Sequence, residues 1–415
     1  MAKSEIIAGL DMGSGNVTCV LAEQELDSDT IKIISGSKVE CKGLKGGVVV
    51  DIKDTANAVA EAVEKAEEEA QRTADFVLMG VRGSHLQSLN SHGAYNIART
   101  DKEINAEDVQ FAVENAKAIP ISSNMKILKV TPQSFSIDRQ RGVPNPEGME
   151  GSLLEVDVHV VTASTSHLNN LEKAVNKAGF KVEESIFNLV ALGECVLTTE
   201  EKELGVVLMD LGGEVTSIAI YADGCIQFSK EIPFGCDLIT RDIAYGLHTS
   251  RSAARNIKEK YGIATSAFLM EDEEIPVPSL DGQNTHNVTS SFLLDIIQPR
   301  VEELFEKVRE EIQKTKYADI PGVGVITGGG SLLKGIPEIA CQAMGIREVR
   351  RAGVLRELVT ADEKFFNPAY TGAISLIVYP NLVFNQDFDV VPRKKGSILS
   401  KMKELFTAVD IFGKD

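Results

Sequence analysis

Residues 6–23 read IIAGLDMGSGNVTCVLAE. Ile6, Ile7, Ala8 and Leu10 form an apolar run into Asp11. Gly13, Ser14, Gly15 and Asn16 follow, and Val17, Val20 and Leu21 open a second apolar run. That is the pattern of strand, tight turn, strand. Glycines in the turn accept positive φ and leave no β-carbon between the backbone and a ligand. Successive amide groups in such a turn form a nest for an anion, phosphate above all. Asp11, at the edge of that nest, is useful to a phosphate mainly through a bound Mg2+. A lone Gly-Ser-Gly hairpin is most often only a hairpin, so its meaning depends on what stands elsewhere.

Elsewhere the chain repeats itself. Residues 205–221, GVVLMDLGGEVTSIAIY, give an apolar strand, Asp210, Gly212, Gly213 and a second apolar strand, about 200 residues after the first copy. A third glycine turn, Gly328, Gly329 and Gly330 in GVGVITGGGSLLKGI (Gly322–Ile336), follows a strand and leads into a helix. Such a turn offers amide groups and a helix N-terminus to an anion. Three adjacent glycines are costly for a simple turn, which favours a ligand-facing loop.

The 415 residues, 43% hydrophobic and 25% charged, fit a globular protein of more than one domain. A net charge of −18 without a basic face in the body argues against nucleic-acid binding. Six scattered cysteines form no C-x-x-C pair and read as free thiols in a reducing cytoplasm. MAKSEIIAG lacks a secretory leader, and no run reaches the roughly 20 apolar residues that span a bilayer. The expected location is therefore cytoplasmic, with peripheral membrane contact at most.

In chain order, Ile31–Glu40 reads as a strand and Gly43–Val50 as a glycine-rich link. Asp51–Arg72 reads as a helix capped by Asp54, and Phe76–Val81 as a buried strand. Arg82–Leu153 breaks the rhythm with short strands (Ala94–Ala98, Ile127–Val130, Phe135–Ile137) and a helix at Asn105–Ala118, as an inserted subdomain would. Val156–Thr162 is expected to resume the main sheet. Further helices are expected at Ser166–Ala178, Ile186–Leu197, Arg251–Tyr261, Phe292–Lys314 and Asn367–Tyr379, with a loop or short hairpin at Glu271–Asn287.

The fixed order of Asp-Gly hairpin, small-residue helix, second Asp-Gly hairpin, triple-glycine turn and second small-residue helix resembles the actin and heat-shock-chaperone ATPase superfamily. Within it the chain resembles the FtsA family of bacterial cell-division proteins over nearly its whole length. The marks are GLKGGVVVDI (Gly43–Ile52), KVTPQSFSID (Lys129–Asp138), KEIPFGCDLITRDIAYG (Lys230–Gly246), VITGGG (Val325–Gly330) and the tail. The resemblance implies two related α/β domains flanking a nucleotide cleft. Residues 1–81, 154–200 and 360–380 would form domain 1A, 82–153 an inserted 1C subdomain, 201–240 and 301–359 domain 2A, and 241–300 subdomain 2B.

It also implies ATP and Mg2+ as ligands. Asp11, Gly13, Ser14, Gly15 and Asn16 would form one phosphate loop, and Asp210, Gly212, Gly213 and Thr216 the other. Gly235 would also belong to the nucleotide-binding set. Gly328, Gly329 and Gly330 would face the adenosine, and Lys258 the ribose or adenine. Asp11 and Asp210 would hold the metal, mainly through its waters. Three departures from the family pattern stand out. Glu214 and Val215 follow Gly213 where Gly-Thr is common. Arg255 stands three residues before Lys258 where Glu is frequent. Asn188 is the nearest polar group where a water-orienting Glu or Gln is often found. Phosphoryl transfer is mostly positioning and charge neutralisation, so these changes imply ATP binding with slow hydrolysis at most.

Residues 381–395 read as a linker ending in Arg393, Lys394 and Lys395. In GSILSKMKELFTAVDIF (Gly396–Phe412), Ile398, Met402, Leu405, Val409 and Phe412 line one helical face, widened by Leu399 and Phe406. Lys401 and Lys403 flank it. Such a helix spans about 25 Å, too short and too charged to cross a bilayer but suited to lie in its interface. Each basic residue near anionic lipid adds roughly 1 kcal/mol. Docking of this helix on the body or on a partner protein is the competing reading. The resemblance implies a homopolymer that tethers the FtsZ ring to the inner membrane at the division site, with later division proteins meeting 82–153. The alternatives are a small-molecule kinase of the same superfamily and a pilus-assembly actin-like protein.

Overall fold

The computed structural model describes residues 4–25, 31–280 and 282–384. The membrane-helix expectation on 396–415, with Lys394 and Lys395, lies outside them.

Two five-stranded sheets share one topology. In the first the spatial order is Ile31–Glu40, Asn16–Glu25, Ser4–Met12, Phe76–Val81, Val182–Phe187. The opening three strands form an antiparallel meander in which Ala8 faces Leu21 and Asp11 faces Thr18. The last two strands join in parallel. The second sheet repeats the scheme with Cys225–Ile232, Thr216–Ala222, Val206–Leu211, Val323–Thr327 and Glu348–Arg351. The sequence echo between Asp11 and Asp210 is thus the visible part of a whole-domain repeat. The central strands are buried on both faces, with Ala8, Leu10, Val206, Leu208 and Met209 at 0% exposure, which explains their continuous rather than alternating apolarity.

Two helices weld the units. Asn188–Val196 and Pro368–Phe384 pack on each other at the junction. Small residues seat both helices closely on the sheets. A β-carbon built at Gly9 would strike the Ala373 carbonyl, and one at Gly193 would strike the Tyr221 hydroxyl. The first core runs on into the second sheet through Leu208, Ala219, Tyr221 and Val325.

Residues between the two main sheets form a separate four-stranded sheet in the order Leu86–Asn96, Leu153–Ser164, Met125–Ile137, Gln140–Val143. The helix Ala106–Ala116 covers it, and it has its own core around Val109, Val113, Phe135 and Val158. This corrects two expectations. Val156–Thr162 does not resume the main sheet. It lies within Leu153–Ser164, which pairs with both long strands of the inserted sheet. A largely buried apolar strand carries no mark of which sheet it joins. The inserted strands are also longer than expected, 11 and 13 residues; along Leu86–Asn96 exposed polar side chains mask the strand in the sequence. The inserted sheet docks on the edge strand Cys225–Ile232. Asn90 Nδ2 donates to the Gln227 carbonyl at 3.0 Å, Gln133 Nε2 to the Ile226 carbonyl at 2.7 Å, and buried His159 meets Ser229 Oγ at 2.8 Å.

Smaller differences have local causes. The first helix spans Ile52–Ala70 and is capped by Asp51, not Asp54. Asp51 is extended (φ −140°) and accepts from the amides of Lys53 and Asp54, leaving Asp54 in the first turn. Gly43–Val50 contains a two-pair hairpin, Leu44–Lys45 with Val48–Val49. The triple glycine opens a 3-10 turn, Gly329–Leu332, and the α-helix begins only at Ile336. The last helix runs on through Pro380 to Phe384, past the expected start of the linker at 381. Glu271–Asn287 holds a hairpin of Glu274–Pro278 and Thr285–Thr289.

Candidate functional site

Between the two units lies a cleft of about 820 Å³, within the range of small-molecule sites. The turns of both repeated hairpins face it. In each, a glycine amide donates to the carbonyl three residues on: Gly13 to Asn16 and Gly212 to Val215, both at 3.0 Å. The second turn is braced from behind, since the amides of Cys236 and Asp237 donate to the carbonyls of Gly212 (3.0 Å) and Gly213 (2.7 Å).

Of the residues singled out from sequence, Asp11, Gly13, Ser14, Gly15, Asn16, Gly212, Gly213, Lys258, Gly329 and Gly330 line the cleft. Asp210, Thr216, Gly235 and Gly328 stand behind its wall. Thr216 is fully buried and donates to the Phe234 carbonyl at 2.7 Å. Gly235 packs against the backbone of Gly213 and Glu214. The three glycines at 328–330 have separate reasons. Gly328 takes φ +80°, and a β-carbon there would strike Asp210 Oδ1. One at Gly330 would strike Cys236 Sγ. One at Gly329 meets nothing within 4 Å. Lys258 lines the cleft while its ammonium donates to Thr240 Oγ1 (2.8 Å) and the Cys236 carbonyl (3.3 Å), clamping its own helix to the preceding one, Asp237–Gly246.

The two repeated carboxylates meet one cation. Arg82 Nη2 is 3.1 Å from Asp11 and 3.0 Å from Asp210. Asn188 Nδ2 donates to Asp11 Oδ1 at 3.1 Å, so the residue in the place of a water-orienting group positions a carboxylate instead. Burial raises the Asp11 carboxyl above its ordinary value, aided by Asp210 and opposed by Arg82 and Asn188. Burial opposes the Arg82 charge, but Asp11, Asp210 and Glu231 outweigh it and raise its pKa. Glu231 is buried beneath the cleft, accepts from Ser217 Oγ (2.8 Å) and the Gly83 amide (3.3 Å), and is pushed up to about 7 by burial.

Glu214, the unusual residue of the second turn, accepts from the Gly46 amide at 2.7 Å, and Ser14 Oγ of the first turn accepts from the Gly47 amide at 3.3 Å. The glycine-rich link therefore bridges the two turns and satisfies the Glu214 carboxylate. Arg255 reaches across the mouth of the cleft to Glu40 at 3.5 Å. Sequence reasoning missed Arg82, Glu231 and Gly372. The signal for Arg82 was a cation directly after a buried strand; for Gly372, whose β-carbon would strike Asp11 Oδ2, it was the small-residue helix.

Two family models match the chain: "SHS2 domain inserted in FTSA" over residues 83–162 and "Cell division protein FtsA" over 207–375. The chain is 34% identical to the cell division protein FtsA of Pseudomonas aeruginosa, covering 90% of this chain and 89% of that one. It is 30% identical to that of Escherichia coli, over 97% and 96%. The chain belongs to the FtsA family of cell division proteins. The FtsA insertion at 83–162 coincides with the separate sheet, including the strand that sequence reasoning assigned elsewhere.

Solved structures share the fold. The PilM–PilN type IV pilus biogenesis complex gives a TM-score of 0.65 at 18% identity, covering 93% of this chain and 99% of that one. MreB5 of Spiroplasma citri bound to AMPPNP gives 0.53 at 11%, over 92% and 98%, and the MamK double helical filament 0.51 at 10%, over 91% and 98%. The FtsA-family chain has the actin-like ATPase fold, two α/β units with an inserted SHS2 domain.

Proposed function

We propose that this FtsA-family protein binds ATP between its two hairpin turns, forms a homopolymer, and tethers the FtsZ ring to the inner face of the cytoplasmic membrane through residues 396–415. The carrying observation is the pair of carboxylates, Asp11 and Asp210, brought from the two repeated hairpins to one cation in the wall of a nucleotide-sized cleft. The donor set suits a cation, since it already holds a guanidinium. Asp11 and Asp210 would hold Mg2+, which would offset the charge of the phosphates when bound. Gly13 to Asn16 and Gly212 to Gly213 would face the phosphates, Gly329 and Gly330 the adenosine, and the Lys258 helix the sugar side.

Hydrolysis is slow or absent in this reading. Asn188 spends its Nδ2 on Asp11, so only its buried, unpartnered carboxamide oxygen is left to meet a water, on an arm one methylene shorter than the Glu or Gln often found there. Nucleotide then acts by holding the two units closed. A single interfacial helix binds a membrane modestly, and many tails on one polymer bind it firmly through avidity. Among the described residues no helix is long and apolar enough to cross a membrane.

The test is co-sedimentation of the intact protein, and of the protein lacking Gly396–Asp415, with phosphatidylglycerol-containing vesicles, with and without FtsZ. The intact protein is expected to carry FtsZ to the vesicles and the truncated one to leave it in solution. Equal sedimentation of both would refute the tether.

A further inference from the structure

Arg82 closes the strand Phe76–Val81 and is the last residue before the inserted domain. Its side chain is 13% exposed, and its Nη2 touches Asp11 of one unit and Asp210 of the other. A planar guanidinium can address two carboxylates at once, which a lysine ammonium on a flexible stem does less well. The two acids would otherwise repel across the cleft in a site of low effective dielectric. A hydrated Mg2+ shared by the same acids needs the space and the negative charge that Arg82 now uses, because that ion demands near-octahedral oxygen ligands and keeps several waters.

We propose that Arg82 is a resident counter-cation of the Asp11–Asp210 pair and competes with a divalent cation for it. The relevance to nucleotide rests on reading the cleft as a Mg-nucleotide site; the competition itself does not. Loading the metal requires the Arg82 side chain to withdraw. The next residue makes that withdrawal consequential. The Gly83 amide is tied to Glu231 at 3.3 Å, and Gly83 takes φ +121°. Five residues beyond, the inserted sheet is fastened to the same edge strand as Glu231, by Ser88 Oγ to the Ser229 carbonyl at 2.5 Å and by Asn90 to Gln227. Metal loading in the cleft and docking of the inserted domain thus meet at adjacent residues.

The test uses Mn2+, a divalent ion visible by electron paramagnetic resonance, on the full chain without nucleotide. Arg82→Ala and Arg82→Gln are expected to bind Mn2+ at least about tenfold more tightly than the wild type, the low end of what removing one member of a buried charge set changes. Arg82→Ala combined with Asp210→Asn is expected to lose that gain. Equal Mn2+ affinity in wild type and the Arg82 variants, all with intact melting transitions, overturns the proposal. Should the uncharged variants not fold, Arg82→Lys keeps the charge and loses the fork; its Mn2+ affinity is expected above the wild type's, and an unchanged value likewise overturns the proposal. ATP binding measured in EDTA and in Mg2+ separates the two readings. Nucleotide binding without the Mn2+ order sinks this proposal alone; the Mn2+ order without nucleotide binding sinks the ATP reading alone.

Discussion

Gly372→Ala sets two effects against each other. Gly372 lies in the helix Pro368–Phe384, where replacing glycine by alanine stabilises by roughly 0.5–1 kcal/mol. A β-carbon there would strike Asp11 Oδ2, lie 3.0 Å from Asp11 Cγ and 3.3 Å from Arg82 Nη2. Overpacking of this kind costs about 1–3 kcal/mol. Asp11 cannot swing aside freely, because Asn188 and Arg82 both hold it at 3.1 Å. Bonds to a charged group are worth about 1.5–3 kcal/mol, so relief by rotation loses as much as the clash. The net change in stability is then small, about 0–2 kcal/mol of loss. The displaced carboxylate, however, should weaken Mg-ATP binding by about 1–2 kcal/mol, a factor of roughly 5 to 30. Calorimetric titration with Mg-ATP, beside thermal unfolding without ligand, separates the two. An affinity within twofold of wild type would show that Asp11 does not depend on the glycine contact and would refute the reasoning.

Three further outcomes are expected. Glu231 has its folded pKa raised to about 7, so the stability linked to its protonation is complete below its ordinary value of 4.5 and drains as pH rises through about 7. Relative to Glu231→Gln, the wild type should therefore lose up to about 3 kcal/mol between pH 5 and pH 8 in denaturant melts, and parallel pH profiles would contradict this. Gly193→Ala should lower stability by about 1–3 kcal/mol, since its β-carbon strikes the hydroxyl of fully buried Tyr221 at the junction of the two units. An unchanged melting temperature would mean the helix Asn188–Val196 can shift. Arg255→Ala should change ATP affinity by less than about 1 kcal/mol and only at low salt, because its ion pair with Glu40 is largely solvated. A large, salt-independent loss would place Arg255 on the ligand itself.

Much of the fold was legible because the repeat is written twice. Each hairpin carries its own apolar runs, acid and glycines, and the strand Phe76–Val81 and helix Arg251–Tyr261 come out with the bounds read from sequence. The inserted sheet was less legible. Its strands expose polar residues on one side, and its return strand Leu153–Ser164 is buried along its second half, which gives no sign of the sheet it joins. The site divided in the same way. Residues at the turns were readable because turn chemistry is local. Arg82, Glu231 and Gly372 were not, because each matters through a contact made across the fold: with Asp11 and Asp210, with the Gly83 amide, and under Asp11. The same limit applied to Glu214. Its place after Gly213 marks it as unusual but gives no sign that its carboxylate accepts from the Gly46 amide, 168 residues away.

The central claim is that the cleft holds ATP against the two glycine turns. Gly15 and Gly329 both line it, neither has a positive φ, and a β-carbon on either meets nothing within 4 Å. Substitution there fills ligand space without touching the fold. Titration of the full-length wild type, Gly15→Val and Gly329→Val with Mg-ATP, alongside thermal melts, is therefore the most direct test. One nucleotide per wild-type chain is expected, with unchanged melting and at least about tenfold weaker binding in both variants. Undiminished ATP binding in both variants, or none in the wild type, would contradict the account.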